Sequence, residues 1–118
     1  MRTLLLSLSL SLSLAAHAGE IDQPAALAAL KEPGAIMIDV RTAEEFAGGA
    51  LPGATPIPHE RIAQRIATLA PDKNAPIVLY CRSGRRSGIA QDRLLELGYS
   101  NVINAGGYEQ LQPLLKDR

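Results

Sequence analysis

The sequence predicts one α/β domain built on a small, mostly parallel sheet. Three observations lead there. Two short apolar runs, Ala35 to Ile38 and Ile77 to Tyr80, suit strands covered on both faces. The stretches between the apolar runs carry helix caps or helical spacing, so strands alternate with helices. The length, 118 residues, is enough for one domain and not two. Lys and Arg number 12 and Asp and Glu 12, a balance that gives no reason to expect nucleic acid as a partner. Aromatic residues make up only 3%, so the core must come from Ile, Leu, Val and Ala.

Residues 1–18 differ from the rest. Met1-Arg2 is a positive start, Leu4 to Leu14 alternates Leu with Ser, and Ala16-His17-Ala18 follows. A charged start, a short apolar stretch and a small-residue end describe a secretory signal peptide. The stretch is shorter than the roughly 20 apolar residues a membrane span needs. The expected mature domain is 19–118, periplasmic, with no stable membrane association after cleavage.

The elements of that domain follow in order. Asp22-Gln23-Pro24 reads as a cap and first turn, with a helix over Ala25 to Leu30 ended by Pro33-Gly34. The first buried strand closes at Asp39-Val40. Thr42 and Glu45 have capping-box spacing, so a short helix starts there and stops at Gly48-Gly49. Leu51-Pro52-Gly53 is a turn and Ala54 to Ile57 a second short strand. Ile62, Ile66 and Leu69 form one face of a helix. Ile77 to Tyr80 is the third strand, the most central, with Cys81 as the first residue beyond it. Ser87 to Leu97 is a helix with Ile89, Ala90, Leu94 and Leu97 on one face and Gly98 as its stop. Asn101-Val102-Ile103 is a last short strand, and Tyr108 to Leu115 a closing helix.

The chemistry points to Cys81-Arg82-Ser83-Gly84-Arg85-Arg86-Ser87-Gly88. Cys81 is the only cysteine. In an exported chain a lone thiol is inert, shared between chains or kept for chemistry. Open α/β sheets bind ligands beyond the carboxyl ends of their strands, where this loop stands. A loop turning into a helix N-terminus aims several amides at one spot and can hold an anion. Helix dipole and nearby cations lower a thiol's pKa, and Arg82, Arg85 and Arg86 lie within five residues of it. Two reactions fit such a cradle, capture of a phosphoryl group and capture of a sulfur atom. Phosphatase loops place an arginine six positions after the cysteine, where it clamps phosphate bidentately. Ser87 holds that place here, and the short loop suits a single sulfur better.

The sequence resembles the single-domain rhodaneses, especially their small exported type, over almost all of residues 19–118. The resemblance rests on Asp39-Val40-Arg41-Thr42-Ala43-Glu44-Glu45-Phe46, on Gly49 to Ala54 with Ile57-Pro58, on the Cys81 loop, and on Gly98-Tyr99 and Gly106-Gly107. Ala50 stands where the family usually has histidine. The resemblance implies a rhodanese-like fold, with helices on both faces of the sheet, and a thiosulfate sulfurtransferase. Cys81 is the implied nucleophile, forming a persulfide whose sulfur passes to cyanide or to a small or protein thiol. Arg82, Arg85 and Arg86 are implied to attract the dianion, and the amides of Ser83, Gly84 and the residues through Ser87 to hold the sulfur. No metal or organic cofactor is implied.

Asp39 and Arg41 read as an ion pair that fixes the strand end near the site. His59 reads as solvated, Tyr108 after Gly106-Gly107 as a core or surface tyrosine ahead of a pocket rim, and Glu44-Glu45 as capping residues only. Two other functions stay open at this point. One is a persulfide carrier that serves a partner protein, and the other a cysteine-dependent phosphatase or arsenate reductase.

Overall fold

The computed structural model describes residues 19–115, and the expected signal peptide lies outside the described residues. Five helices and four strands alternate: α1 Gln23–Ala29, β1 Ile36–Asp39, α2 Ala43–Ala47, β2 Thr55–Pro56, α3 Ile62–Leu69, β3 Ile77–Cys81, α4 Arg85–Glu96, β4 Val102–Gly107 and α5 Tyr108–Leu115. A 3-10 turn, His59–Arg61, precedes α3. The strands form one sheet in the order β2-β1-β3-β4, and every pairing is parallel.

Strand alternation divides the core in two. Ile77, Leu79 and Cys81 of β3 face one way, onto Ile62 and Ile66 of α3 and Ala90 and Leu94 of α4. Val78 and Tyr80 face the other way, onto Ala26 and Ala29 of α1 and Leu111 and Leu115 of α5. Helices therefore cover both faces, and β3 is buried along its whole length. The same parity sets the chemistry: an odd-numbered residue at the end of β3 must point toward α4.

Local signals act where expected. Asp22 Oδ1 accepts from the Ala25 amide at 3.0 Å as the α1 cap. Thr42 and Glu45 exchange both bonds of a capping box, each at 3.1 Å. Three expectations need correction. Cys81 is the last residue of β3, paired with Gly107, because β4 runs on beside it. β4 extends from Val102 to Gly107, past the expected Ile103. It does so through an irregularity between Leu79↔Asn104 and Tyr80↔Gly106, which leaves Ala105 unpaired. Ile89 is 47% exposed, not on the buried face of α4. That face carries Ser87, Gly88, Ala90, Gln91 and Leu94 instead, because the first turn of α4 leans on Cys81 and Asn104.

Candidate active site

The carboxyl end of β3 delivers the Cys81 side chain under the first turn of α4. Gly84 turns the chain there with φ +94°, a conformation that L side chains rarely adopt. The Gly84 amide donates to Cys81 Sγ at 2.9 Å. Ser87 Oγ lies 3.4 Å from the same sulfur. The thiol is fully buried, and burial pushes its pKa up. The Ser87 hydroxyl and the amides of Ser87, Ser83 and Gly84 outweigh that, and the net direction is down. The hydrogen bonds of the cradle, more than the arginines, thus favour the thiolate.

Every predicted site residue lies in or beside this loop, but the arginines divide. Arg82 and Arg85 are exposed at its rim, as is Ser83. Arg86 is turned aside. Its Nη1 and Nη2 donate to Glu45 Oε1 and Oε2 at 2.7 and 3.0 Å, a bidentate pair between α4 and α2. Glu45 thereby has a role beyond its cap, and its carboxyl falls to about 2, chiefly through the Arg86 hydrogen bonds. The pair also ties α2 to the start of α4.

Asp39 and Arg41 form the expected ion pair at the end of β1. Arg41 Nη2 reaches Asp39 Oδ2 at 2.7 Å and the Gly49 carbonyl at 2.7 Å, and Nε donates to Asp39 Oδ1 at 3.0 Å. Asp39 also accepts from the Arg41 amide at 2.9 Å. The guanidinium stacks 4.5 Å above the Tyr108 ring, which in turn lies 6.3 Å from the Tyr80 ring. Tyr108 is therefore part of the wall beside the loop. A depression of about 290 Å³ opens there, lined by Arg41, Glu45, Gly49, Arg82, Tyr108 and Glu109, among others. A larger one, about 530 Å³, lies at the amino ends of the strands beside Ile36, Pro76 and Asn101, away from the thiol. His59 pairs with Glu60, Nδ1 to Oε1 2.9 Å, in the 3-10 turn. Among the described residues no group of three or more His, Cys, Asp or Glu could hold a metal ion.

Sequence reasoning passed over Asn104. It is buried at the β4 irregularity, and its Oδ1 accepts from Ser87 Oγ at 2.7 Å. The available signal was a polar residue interrupting the run Val102-Ile103-Asn104-Ala105.

A buried cysteine at the end of a central parallel strand, cradled by amides before a helix, makes an anion-holding thiol site on an α/β domain. The rhodanese-like domain model matches residues 22–113, and the chain belongs to that family. The thiosulfate sulfurtransferase PspE of Escherichia coli is 45% identical over 74 residues, covering 63% of this chain and 71% of that protein. A solved rhodanese with anions from E. coli superimposes with TM-score 0.62 and 44% identity, covering 64% of this chain and 88% of that one. The human single-domain sulfurtransferase TSTD1 superimposes with TM-score 0.64 at 26% identity, covering 80% of this chain and 96% of that one. None of the described helices is long and apolar enough to cross a membrane.

Proposed function

We propose that the chain is an exported thiosulfate sulfurtransferase with Cys81 as its nucleophile. The observation that carries this reading is the donor set on Sγ, the Gly84 amide at 2.9 Å with the amides of Ser87 and Ser83 beside it. A nucleophilic thiolate needs its pKa lowered and its charge spread over fixed donors. Sγ attacks the outer sulfur of thiosulfate. A new S–S bond forms at Cys81, the bond to the central sulfur breaks, and its electron pair leaves with sulfite. The persulfide's outer sulfur is then attacked by cyanide or a thiol, and the electron pair returns to Sγ. The amides of Ser83, Gly84 and Ser87 suit the negative charge of both thiolate and persulfide. Arg82 and Arg85, exposed at the rim, suit capture of the dianion.

Arg86 supports sulfur over phosphate chemistry, because its fork is engaged by Glu45 and not presented to the loop. The tetrahedral phosphoryl group needs such a fork, while a single sulfur needs converging amides. Full burial of Cys81 suits a small donor. Export rests on residues 1–18, whose charged, apolar and Ala-His-Ala sections match a signal peptide.

Incubating the purified protein with thiosulfate tests the reading. Intact-mass measurement should find one added sulfur atom, lost on adding cyanide as thiocyanate appears. Cys81→Ser should show neither event. Aryl phosphate turnover without sulfite release would overturn the assignment.

A further inference from the structure

The residues just before α1 do more than lead into the domain. Gly19 to Asp22 run alongside β4 behind the thiol loop. The Gly19 amide donates to Gln91 Oε1 at 2.7 Å, and the Gly19 carbonyl accepts from Asn104 Nδ2 at 3.1 Å. Ile21 forms a parallel bridge with Asn104, and the Asp22 amide donates to the Asn104 carbonyl at 2.9 Å. The Ile21 side chain lies over the loop: a Cβ on Gly84 would meet its Cδ1 at 2.5 Å. Gly88 permits the approach, since a Cβ there would stand 2.9 Å from Gly19 Cα.

Asn104 is where this segment and the thiol loop meet. Its amide makes four hydrogen bonds while fully buried. Two go to the catalytic loop, Nδ2 to the Gly84 carbonyl at 2.9 Å and Oδ1 from Ser87 Oγ at 2.7 Å. The others go to Gly19 and to the Gly106 amide, the latter at 3.0 Å. Gly84 and Ser87 also present backbone amides to Cys81 Sγ, alongside that of Ser83.

We infer that Gly19–Asp22 is a strap that positions the sulfur-binding loop, acting through Asn104 on Gly84 and Ser87. The strap holds Asn104 at Nδ2 through the Gly19 carbonyl and at its backbone carbonyl through the Asp22 amide, and the same side chain holds the Gly84 carbonyl and the Ser87 hydroxyl. Donors fixed in advance stabilise a thiolate without a cost of ordering the loop when charge appears. Released donors would have to be ordered at that moment. Ile21 and Gln91 are positioning residues in this scheme, since neither touches the sulfur.

The strap also begins at the residue expected to become the chain's first after processing. An ammonium at Gly19 would make the bond to Gln91 Oε1 a charge-assisted one. Processing would then deliver the anchor of the loop.

The test reads the thiol directly and needs no sulfur donor, so it stands or falls apart from the sulfur-transfer reading. The rate of Cys81 alkylation by iodoacetamide is followed against pH in the protein beginning at Gly19. Cys81 is the only cysteine, so the signal has one source. Ile21→Gly and Gln91→Leu release the strap without changing any charge. The charged groups around the loop, Arg82, Arg85, the Glu45-paired Arg86 and the Asp39–Arg41 pair, stay in place, as do Glu20 and Asp22 on the strap. Both variants should react about 3–10-fold more slowly near pH 7, with the profile displaced to higher pH and the same limiting rate in base. Ile21→Val, which keeps a branched side chain over Gly84, should restore the original profile. Leu114→Gly perturbs an exposed position of α5, outside both the strap and the loop, and should leave the profile where it was. Superimposable profiles for Ile21→Gly and Gln91→Leu would overturn the inference. So would an equal displacement in Leu114→Gly, which would mean that any loosening of the domain has the same effect.

Discussion

Replacing Glu45 with Gln removes one charge from the bidentate pair that joins α2 to α4, while keeping the side chain's shape. In the folded protein the Glu45 carboxyl titrates at about 2, against an ordinary value of 4.5. The Arg86 hydrogen bonds lead the lowering, burial opposes it, and the Thr42 amide adds to it. A depression of that size corresponds to at most about 3–4 kcal/mol of stability above the ordinary pKa. The two side chains are 24% and 28% exposed, so solvent screens them, and about 1–2 kcal/mol is the reasonable expectation. The sign follows from the direction. The folded pKa is depressed, so the stabilisation is complete above about 4.5 and disappears as pH falls through about 2. Urea unfolding of the unaltered protein, Glu45→Gln, Arg86→Gln and the double variant gives the coupling energy of the pair. Near neutral pH the coupling should be about 1–2 kcal/mol. Near pH 2 it should shrink toward zero. Coupling below about 0.3 kcal/mol at neutral pH would mean that the bidentate geometry has no more effect than an ordinary surface ion pair. Coupling that persists undiminished in acid would refute the ionic account.

Ser87→Ala removes the hydroxyl that lies 3.4 Å from Sγ and ties the loop to Asn104, so the thiol should titrate higher and alkylate about 3–10-fold more slowly near pH 7. Arg82→Ala and Arg85→Ala should each raise KM for thiosulfate with little change in the breakdown of the persulfide. Steady-state assays at rising salt should find that difference fading, since exposed charges are screened over about 8–10 Å. Gly84→Ala forces a side chain to φ +94° and should destabilise by roughly 1–3 kcal/mol, read as a lower melting midpoint. N-terminal sequencing of protein recovered from outside the cytoplasm should begin near Gly19, and a chain still starting at Met1 there would refute processing.

The sequence by itself determined whatever depends on near neighbours along the chain. Apolar runs marked β1 and β3, and Thr42 with Glu45 marked the start of α2, because caps and strand patterns are local. The Cys81 loop was legible for the same reason, since its thiol, glycines and arginines lie within eight residues. Tertiary structure decided how those groups are used. Arg86 looked free to meet a substrate until folding brought Glu45, 41 positions away, within 2.7 Å of it. Glu45 carried a capping signature, which gives no hint of a second partner on another helix. Tyr108 follows Gly106-Gly107, a place that could rim a pocket, but the sequence favoured a core or surface tyrosine; folding lays its ring under Arg41, at the start of α5 just beyond β4. Asn104 escaped notice because its value is a matter of burial. Four hydrogen bonds from segments as distant as Gly19 and Ser87 converge on one side chain, and only the folded chain brings them together. A buried amide must be satisfied on every side. Local propensity could therefore end β4 at Ile103, but pairing with Tyr80 and Cys81 of β3 carries it on to Gly107.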